Sequence, residues 1–152
     1  MHIESDEFYM ELALAEAKQA EAAGEVPVGA IVVSEGVVIG SGFNLPVLTH
    51  DPTAHAEIVA LRKAARQQQN YRLSNAIMYC TVEPCLMCAG AMLHARITRL
   101  VFGTPDPKAG AAGSIYNVLT DPRLNHRVEV VSGLREDDSA TLLREFFAKR
   151  RS

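Results

Sequence analysis

The chain has 152 residues, of which 48% are hydrophobic and 22% are charged. This composition is that of an ordinary globular protein and excludes a disordered or fibrous one. No apolar run approaches the roughly 20 residues that cross a bilayer, and the acidic start MHIESDEFYMELA lacks the basic flank and apolar stretch of a signal peptide. We therefore expect a cytoplasmic protein with no membrane segment and one domain over residues 1–152.

The charges are distributed unevenly along the chain. Although 15 basic and 18 acidic residues give a net charge of −3, residues 1–61 carry one base and ten acids, and residues 62–152 carry fourteen bases and eight acids. Local patches, rather than the sum, determine whether a surface attracts phosphate. The basic half predicts a phosphate-binding face, and a merely solvated surface is the alternative.

The first half of the chain predicts a helix, a hairpin and a second helix. Acidic residues in the first turn and Gly24 as a stop delimit a helix over residues 5–23. Ser34-Glu35-Gly36 predicts a tight turn between β-branched strands at 28–33 and 37–42. A polar loop then leads to a helix over 54–68. Three residues, Phe8, Leu12 and Ala15, mark the apolar stripe of the first helix.

The second half predicts strands that alternate with helices. An apolar strand at 76–82 is followed by a helix at 84–95, with Pro84 at its favoured first position. Short strands at 99–102 and 128–131 and a helix at 138–149 complete the chain. This order implies one mixed sheet covered by helices, that is, an α/β layered domain.

Two short motifs supply residue types that bind metal. The first is His55-Ala56-Glu57, and the second is Pro84-Cys85-Leu86-Met87-Cys88. On a helix, Cys85 and Cys88 stand on one face with Cβ atoms about 5–6 Å apart, which suits two thiolates on one zinc ion. A helix start also favours the thiolate form.

One imidazole and two thiolates leave one position of a tetrahedral zinc ion open, which is typical of a catalytic site. Water in that position has its pKa lowered to about 7. Glu57, close by but not a ligand, can take up and pass on a proton. A zinc-stabilised scaffold and a dithiol redox protein are the alternatives from the motifs alone. Cys80 is expected to be a buried apolar residue.

Pairing H-x-E with P-C-x-x-C resembles the signature of zinc-dependent nucleobase deaminases. Six ordered blocks along nearly the whole chain also resemble the bacterial tRNA-specific adenosine deaminase family. These blocks are EVPVGAIVV, DPTAHAEIVALR, NYRL, EPCLMCAGAMLHARI, VFGTPDPKAGAAGS and LNHRVEV. The resemblance implies a cytidine-deaminase-like fold with three α/β/α layers, a five-stranded mixed sheet covered by helices on both faces, and a homodimer.

The resemblance also implies roles for individual residues. It makes His55, Cys85 and Cys88 the ligands of one Zn²⁺ per subunit and Glu57 the proton shuttle. The implied substrate contacts are Asn44 to the target nucleoside, Val28 and Phe146 around the base, and Asp106, Lys108 and Asn125 to flanking anticodon nucleotides. Core packing is the alternative for Val28 and Phe146, and an exposed loop charge is the alternative for Lys108.

The implied reaction converts adenosine to inosine at wobble position 34 of an arginine tRNA with anticodon ACG. Zinc hydroxide attacks C6 of adenine, Glu57 delivers a proton to N1, and ammonia leaves. Deamination of a free base or nucleotide, such as cytosine, guanine or deoxycytidylate, is the alternative, because the zinc core is shared. The loop GTPDPKAGAAGS and the basic C-terminal end favour the anticodon stem-loop.

Basic clusters predict where that RNA is held. Arg62, Lys63 and Arg66, together with Lys149-Arg150-Arg151, are expected to contact backbone phosphates. Pro105 and Pro107 are expected to stiffen the loop at residues 103–108.

Overall fold

The computed structural model describes residues 4–151, and side chains for residues 4–150. The elements within that range are α1 (Asp6–Ala22), β1 (Gly29–Ser34), β2 (Val37–Phe43), α2 (Pro46–Thr49), α3 (Ala56–Gln68), β3 (Ala76–Val82), α4 (Leu86–Ala95), β4 (Arg99–Thr104), β5 (Glu129–Val131) and α5 (Glu136–Arg151). None of the helices in this range is long and apolar enough to span a membrane.

The five strands form one mixed sheet in the order β2-β1-β3-β4-β5. β1 runs antiparallel to β2 and β3, whereas β3, β4 and β5 run parallel. The predicted hairpin is confirmed: Glu35 and Gly36 have φ angles of 50° and 77°, which is the pattern of the type I′ turn that matches strand twist.

Alternate residues of each central strand enter two separate cores. Ala30, Val32, Met78, Cys80, Leu100 and Phe102 belong to the core that includes α3 and α4 residues. Ile31, Val33, Tyr79 and Val101 pack instead with α1, and partly buried Leu142 of α5 lies on the same side. Helices therefore cover both faces, which confirms the expected three-layer α/β/α fold. Cys80 is fully buried, as predicted.

The phase predicted for α1 was wrong. Its buried residues are Tyr9, Met10, Ala13, Leu14, Ala17 and Ala20. Phe8 and Ala15 are exposed and Leu12 is only partly buried. The cause is a close approach between α1 and β1, because a Cβ on Gly29 would overlap the helix backbone at Ala13 and Ala17. These small residues, rather than the larger Phe8, therefore face the sheet.

Several helix boundaries also differ from the prediction. Residues 46–49, expected in a loop, form the short helix α2. The Glu25 carboxylate, which is buried, accepts hydrogen bonds from the Val47 and Leu48 N–H groups at 3.3 and 2.7 Å. These bonds satisfy amides that a helix start leaves unpaired. α5 begins at Glu136 rather than at residue 138.

Candidate active site

A cleft of about 500 Å³ lies beyond the carboxyl ends of β3 and β4, where ligands of open α/β sheets bind. The starts of α3 and α4 contribute His55, Glu57 and Cys85 to its lining. The remaining lining residues come from the ends of β1 to β4, from the following loop and from α5: Val26, Val28, Asn44, Val82, Glu83, Pro105, Asp106, Pro107, Lys108, Ala109, Leu143 and Phe147.

His55 and Cys85 are the N-cap residues of their helices. Both have extended backbones, with φ/ψ of −71°/153° and −77°/177°, and neither side chain caps its own helix. Their side chains are therefore free to bind a ligand ahead of the helix. The predicted helix starts at Ala54 and Pro84 were wrong, since extended backbone at His55 and Cys85 delays the helices to Ala56 and Leu86.

The three predicted metal ligands lie together. His55 Nδ1 is 3.5 Å from each sulfur, and the two sulfurs are 3.8 Å apart. A tetrahedral ion with Zn–S bonds of about 2.3 Å and Zn–N bonds of about 2.1 Å requires edges of about 3.8 Å and about 3.6 Å. The side chains described for residues 4–150 place no fourth His, Cys, Asp or Glu in this group. The site thus fits a zinc ion with one position left for water or substrate.

The surroundings of the two sulfurs promote metal binding. The hydrogen bond between the two sulfurs, with help from His55, lowers the pKa of Cys85 to about 4. The same bond and burial raise the pKa of Cys88. One sulfur is therefore a thiolate before any metal arrives, and a cation releases the second proton on binding.

Glu57 is the buried carboxylate beside this group. It is the second residue of α3, it is 4% exposed, and it lines the cleft. Burial raises the pKa of Glu57 to about 7. A carboxyl group that is not a ligand and that exchanges protons near neutral pH suits general acid–base chemistry.

Asn44 and Val28, to which the resemblance assigns contacts with the substrate, both line the cleft. The Asn44 Oδ1 atom accepts a hydrogen bond from the Ala56 N–H at 2.9 Å, which satisfies an amide at the start of α3. The Asn44 backbone N–H donates to the Val28 carbonyl oxygen at 3.2 Å. With its oxygen committed to α3, Asn44 has the side-chain NH₂ group to offer to a substrate.

Asp106 and Lys108 also line the cleft, with Pro105 and Pro107. The Asp106 Oδ1 atom accepts hydrogen bonds from the Lys108 and Ala109 N–H groups at 3.1 and 3.2 Å. Asp106 followed by Pro107 is a common start of a type I turn. One oxygen of the Asp106 carboxylate, Oδ1, therefore stabilises the turn that follows Asp106.

Two of the predicted substrate-binding residues lie outside the cleft. Phe146 is buried, with the Arg150 guanidinium 4.5 Å from its ring centre, and its neighbour Phe147 lines the cleft instead. Successive helix residues point about 100° apart. Phe147 therefore faces the cleft, whereas Phe146, one position earlier, is buried. Asn125 lies in a separate groove with Tyr71, His94 and Arg96.

Sequence reasoning missed Phe147, Leu143 and Glu83. Leu143 and Phe147 are four residues apart on α5 and share one face, but Leu142 and Phe146 have the same spacing, so this pattern does not identify the pair that lines the cleft. Glu83 precedes the second motif directly, but no spacing rule marks it.

Comparison with known proteins identifies the family. A model of the cytidine and deoxycytidylate deaminase zinc-binding region matches residues 3–104. A tRNA-specific adenosine deaminase of Haemophilus influenzae is 52% identical over 149 residues, which are 97% of this chain and 86% of that protein. The chain belongs to this deaminase family. A tRNA-specific adenosine deaminase of Bacillus subtilis is 43% identical over 146 residues, covering 96% of this chain and 91% of that protein.

Solved structures of deaminases share the fold. One from a study of A-to-I editing by tRNA:A34 deaminases at the wobble position of transfer RNA superimposes with a TM-score of 0.86 at 45% identity, over 90% of this chain and 99% of that one. A guanine deaminase of Nitrosomonas europaea superimposes with a TM-score of 0.85 at 26% identity, over 97% and 87%. This family member is a deaminase of a zinc-binding family, and His55, Cys85 and Cys88 are a group of side chains close enough together to hold a metal ion.

Proposed function

We propose that this deaminase converts the adenosine at wobble position 34 of an arginine tRNA with anticodon ACG to inosine. The observation that carries the proposal is the buried carboxylate of Glu57 beside a three-ligand metal group at the base of an open cleft. The identities of 52% and 43% with tRNA-specific adenosine deaminases support the substrate.

The residues of the cleft divide the reaction between them. His55, Cys85 and Cys88 would hold a zinc ion, which would lower the pKa of the water that serves as the nucleophile. Glu57 takes a proton from that water and delivers it to N1 of adenine, while the water oxygen bonds to C6. Glu57 then passes the proton of the new C6 hydroxyl to the C6 amine, the C–N bond breaks and ammonia leaves, so adenosine and water give inosine and ammonia.

The walls of the cleft orient the base. The Asn44 NH₂ group donates a hydrogen bond to the nucleoside, and Val28 and Phe147 pack against the ring. Asp106 and Lys108 contact the nucleotides that flank the target. Adenine must be unstacked to enter, which costs little in an anticodon loop.

A groove beside the cleft supports binding of the RNA backbone. Arg62, Lys63 and Arg66 line it together with Leu45 and Ala54, which are sequence neighbours of Asn44 and His55. These cations hold phosphates of the stem-loop. Asn125, in its own groove with Tyr71 and Arg96, is proposed to contact an anticodon nucleotide that flanks the target.

The proposal includes a single domain over residues 1–152, a homodimer and a cytoplasmic location. Exposed apolar side chains on α2 and at the start of α4, namely Val47, Leu48, Leu86 and Met87, support a subunit interface. Light scattering tests the dimer, and a monomeric mass at micromolar concentration would contradict it.

The decisive experiment compares substrates. We expect the zinc-loaded protein to form inosine at position 34 of an arginine anticodon stem-loop, and to release no ammonia from free guanine, cytosine or deoxycytidylate. The structural likeness to a guanine deaminase makes guanine the important competitor. Ammonia from guanine without inosine in RNA would replace the proposed substrate with the free base.

Glu57→Gln tests the chemistry at that site. The amide keeps the shape of the side chain but takes up no proton, so inosine formation should fall by at least about 100-fold, the lower end of what a general acid–base contributes. Metal analysis should still find one zinc per chain. Retained turnover in Glu57→Gln would refute the role of the carboxylate.

A further inference from the structure

Glu83 is a second buried carboxylate at the cleft, and the reaction described above does not use it. The residue is 3% exposed, and it stands between the end of β3 and the Pro84-Cys85 segment. None of the ion pairs found among residues 4–150 includes Glu83. Such a group needs hydrogen bonds to compensate for lost water.

Four donors from one loop surround this carboxylate. Its Oε1 atom accepts from the Asp106 N–H at 2.9 Å and from the Ser114 hydroxyl. Its Oε2 atom accepts from the N–H groups of Ala112 and Ser114, at 2.9 and 3.0 Å. The donors lie at both ends of residues 105–114, which we call the substrate loop, so the loop is folded around the Glu83 side chain.

The backbone of the same loop is attached to the metal-binding segment. The Glu83 N–H donates to the Thr104 carbonyl oxygen at 2.9 Å, and the Ala111 N–H donates to the Pro84 carbonyl oxygen at 2.9 Å. Gly110 lies opposite Cys85 in an isolated β-bridge. A Cβ at position 110 would overlap the Glu83 carboxyl group, so only glycine permits this approach.

We infer that Glu83 is a positioning residue: through its four hydrogen bonds it fixes the substrate loop relative to the zinc ligand Cys85, and so determines how well Asp106 and Lys108 meet the RNA. The inference rests on the proposed function for its substrate. Glu83 acts through the loop, because its two oxygens are already occupied by loop donors.

Glu83→Gln is the sharpest test, because it keeps the shape of the side chain and replaces one acceptor by an NH₂ donor. Two of the four loop donors then lack an acceptor and face a donor. We expect KM for the stem-loop to rise by about 10- to 100-fold, with a smaller change in kcat and an unchanged zinc content. Ser114→Ala removes only the hydroxyl donor, and Glu83 Oε1 still accepts from the Asp106 N–H. This variant should therefore raise KM by less than about 10-fold.

Gly110→Ala approaches the same contact from the loop side. Because the added methyl group displaces the Glu83 carboxylate, this variant should reproduce the rise in KM. Asp6→Asn is the matched control. It removes a carboxylate that accepts hydrogen bonds from Arg99 and Tyr79, and neither of these residues belongs to the substrate loop. It should lower stability and leave KM unchanged.

Hydrogen exchange separates this inference from the proposed function, because it needs no substrate. In Glu83→Gln the amides of residues 106, 112 and 114 should exchange at least about 10-fold faster than in the parent, while those of β1 and β3 keep their rates. Unchanged exchange in the loop, or an unchanged KM, would overturn the role of Glu83. If the parent protein forms no inosine but the loop amides respond as expected, the proposed substrate fails and the positioning role stands.

Discussion

The proposed function gives the Asn44 side chain two separable tasks. Its oxygen accepts from the Ala56 N–H and so completes the start of α3, the helix that carries Glu57. Its NH₂ group is left for the substrate. A carboxylate in place of the amide would keep the first interaction, and even favour it at the positive end of a helix, but would remove the donor.

Asn44→Asp and Asn44→Ala therefore separate the two tasks. We expect Asn44→Asp to keep the free energy of unfolding of the parent and to lower kcat/KM by about 10- to 100-fold, the result of losing one buried donor to the substrate. Asn44→Ala should lose activity similarly and also about 1 kcal/mol of stability, because the Ala56 N–H is left unpaired.

Urea denaturation and inosine assays on both Asn44 variants measure these effects, with zinc content as the control. Full activity in Asn44→Asp would show that the amide hydrogens do not contact the substrate. A loss of stability in Asn44→Asp equal to that in Asn44→Ala would contradict the capping role.

At the scale of elements, a cluster of three residues ties the start of α1 to the sheet. The Asp6 carboxylate accepts two hydrogen bonds from Arg99 of β4, at 2.9 and 2.7 Å, and one from the Tyr79 hydroxyl of β3 at 2.6 Å. Arg99 also pairs with Glu129 of β5 at 2.8 Å. The hydrogen bonds from Arg99 and Tyr79 hold the pKa of Asp6 below its ordinary value.

Asp6→Asn should therefore destabilise the protein in a pH-dependent way. A carboxylate whose pKa is lowered by folding stabilises the native state above its unfolded pKa of about 3.9, and this contribution is lost as the pH falls through the folded pKa. We expect a loss of about 1 kcal/mol at pH 7, a modest value because both groups are partly exposed. Unfolding measured between pH 7 and pH 3 should show the difference from the parent shrinking, and a constant difference would contradict the assignment.

Elements differ in how far the sequence determines them. The strands were predictable because β-branched runs such as Ile31 to Val33 alternate between two cores. The phase of α1 was not, since alanines occur on most of its faces and contact with Gly29 decides which of them is buried. Phe146 and Phe147 are equally apolar, so only the packing of α5 shows that the second one lines the cleft.

Within the site, some residues can be predicted from local sequence motifs and others cannot. His55, Cys85 and Cys88, which form the metal group, and the neighbouring Glu57 lie in two short motifs whose spacing indicates their chemistry. These four residues could therefore be singled out without the fold. Glu83 could not, because its function depends on contacts with residues 23 to 31 positions later in the chain. Long-range hydrogen bonds leave no local pattern.

At the scale of the whole molecule, the C-terminal bases do not act as one group. The Arg150 guanidinium stacks on Phe146 at 4.5 Å and donates to the Gly24 carbonyl oxygen at 2.6 Å. It therefore joins the end of α5 to the end of α1. A phosphate contact from Arg150 would require both of these interactions to break. Arg151 has no described side chain. Arg66, by contrast, is exposed in the groove beside the cleft.

Arg150→Gln and Arg66→Gln should accordingly separate stability from RNA binding. Arg150→Gln loses a cation–π contact and a hydrogen bond, so its free energy of unfolding should fall by about 1–2 kcal/mol, with little change in the salt dependence of RNA affinity. Arg66→Gln should keep the stability and reduce the slope of log affinity against log salt by about 0.7 to 0.9, the value for one phosphate contact. Stem-loop binding titrated at several salt concentrations measures both slopes. A reduced salt slope in Arg150→Gln with an unchanged free energy of unfolding would restore the phosphate role predicted from the sequence. That result would show that the contacts of Arg150 with Gly24 and Phe146 contribute no stability and do not prevent it from binding RNA.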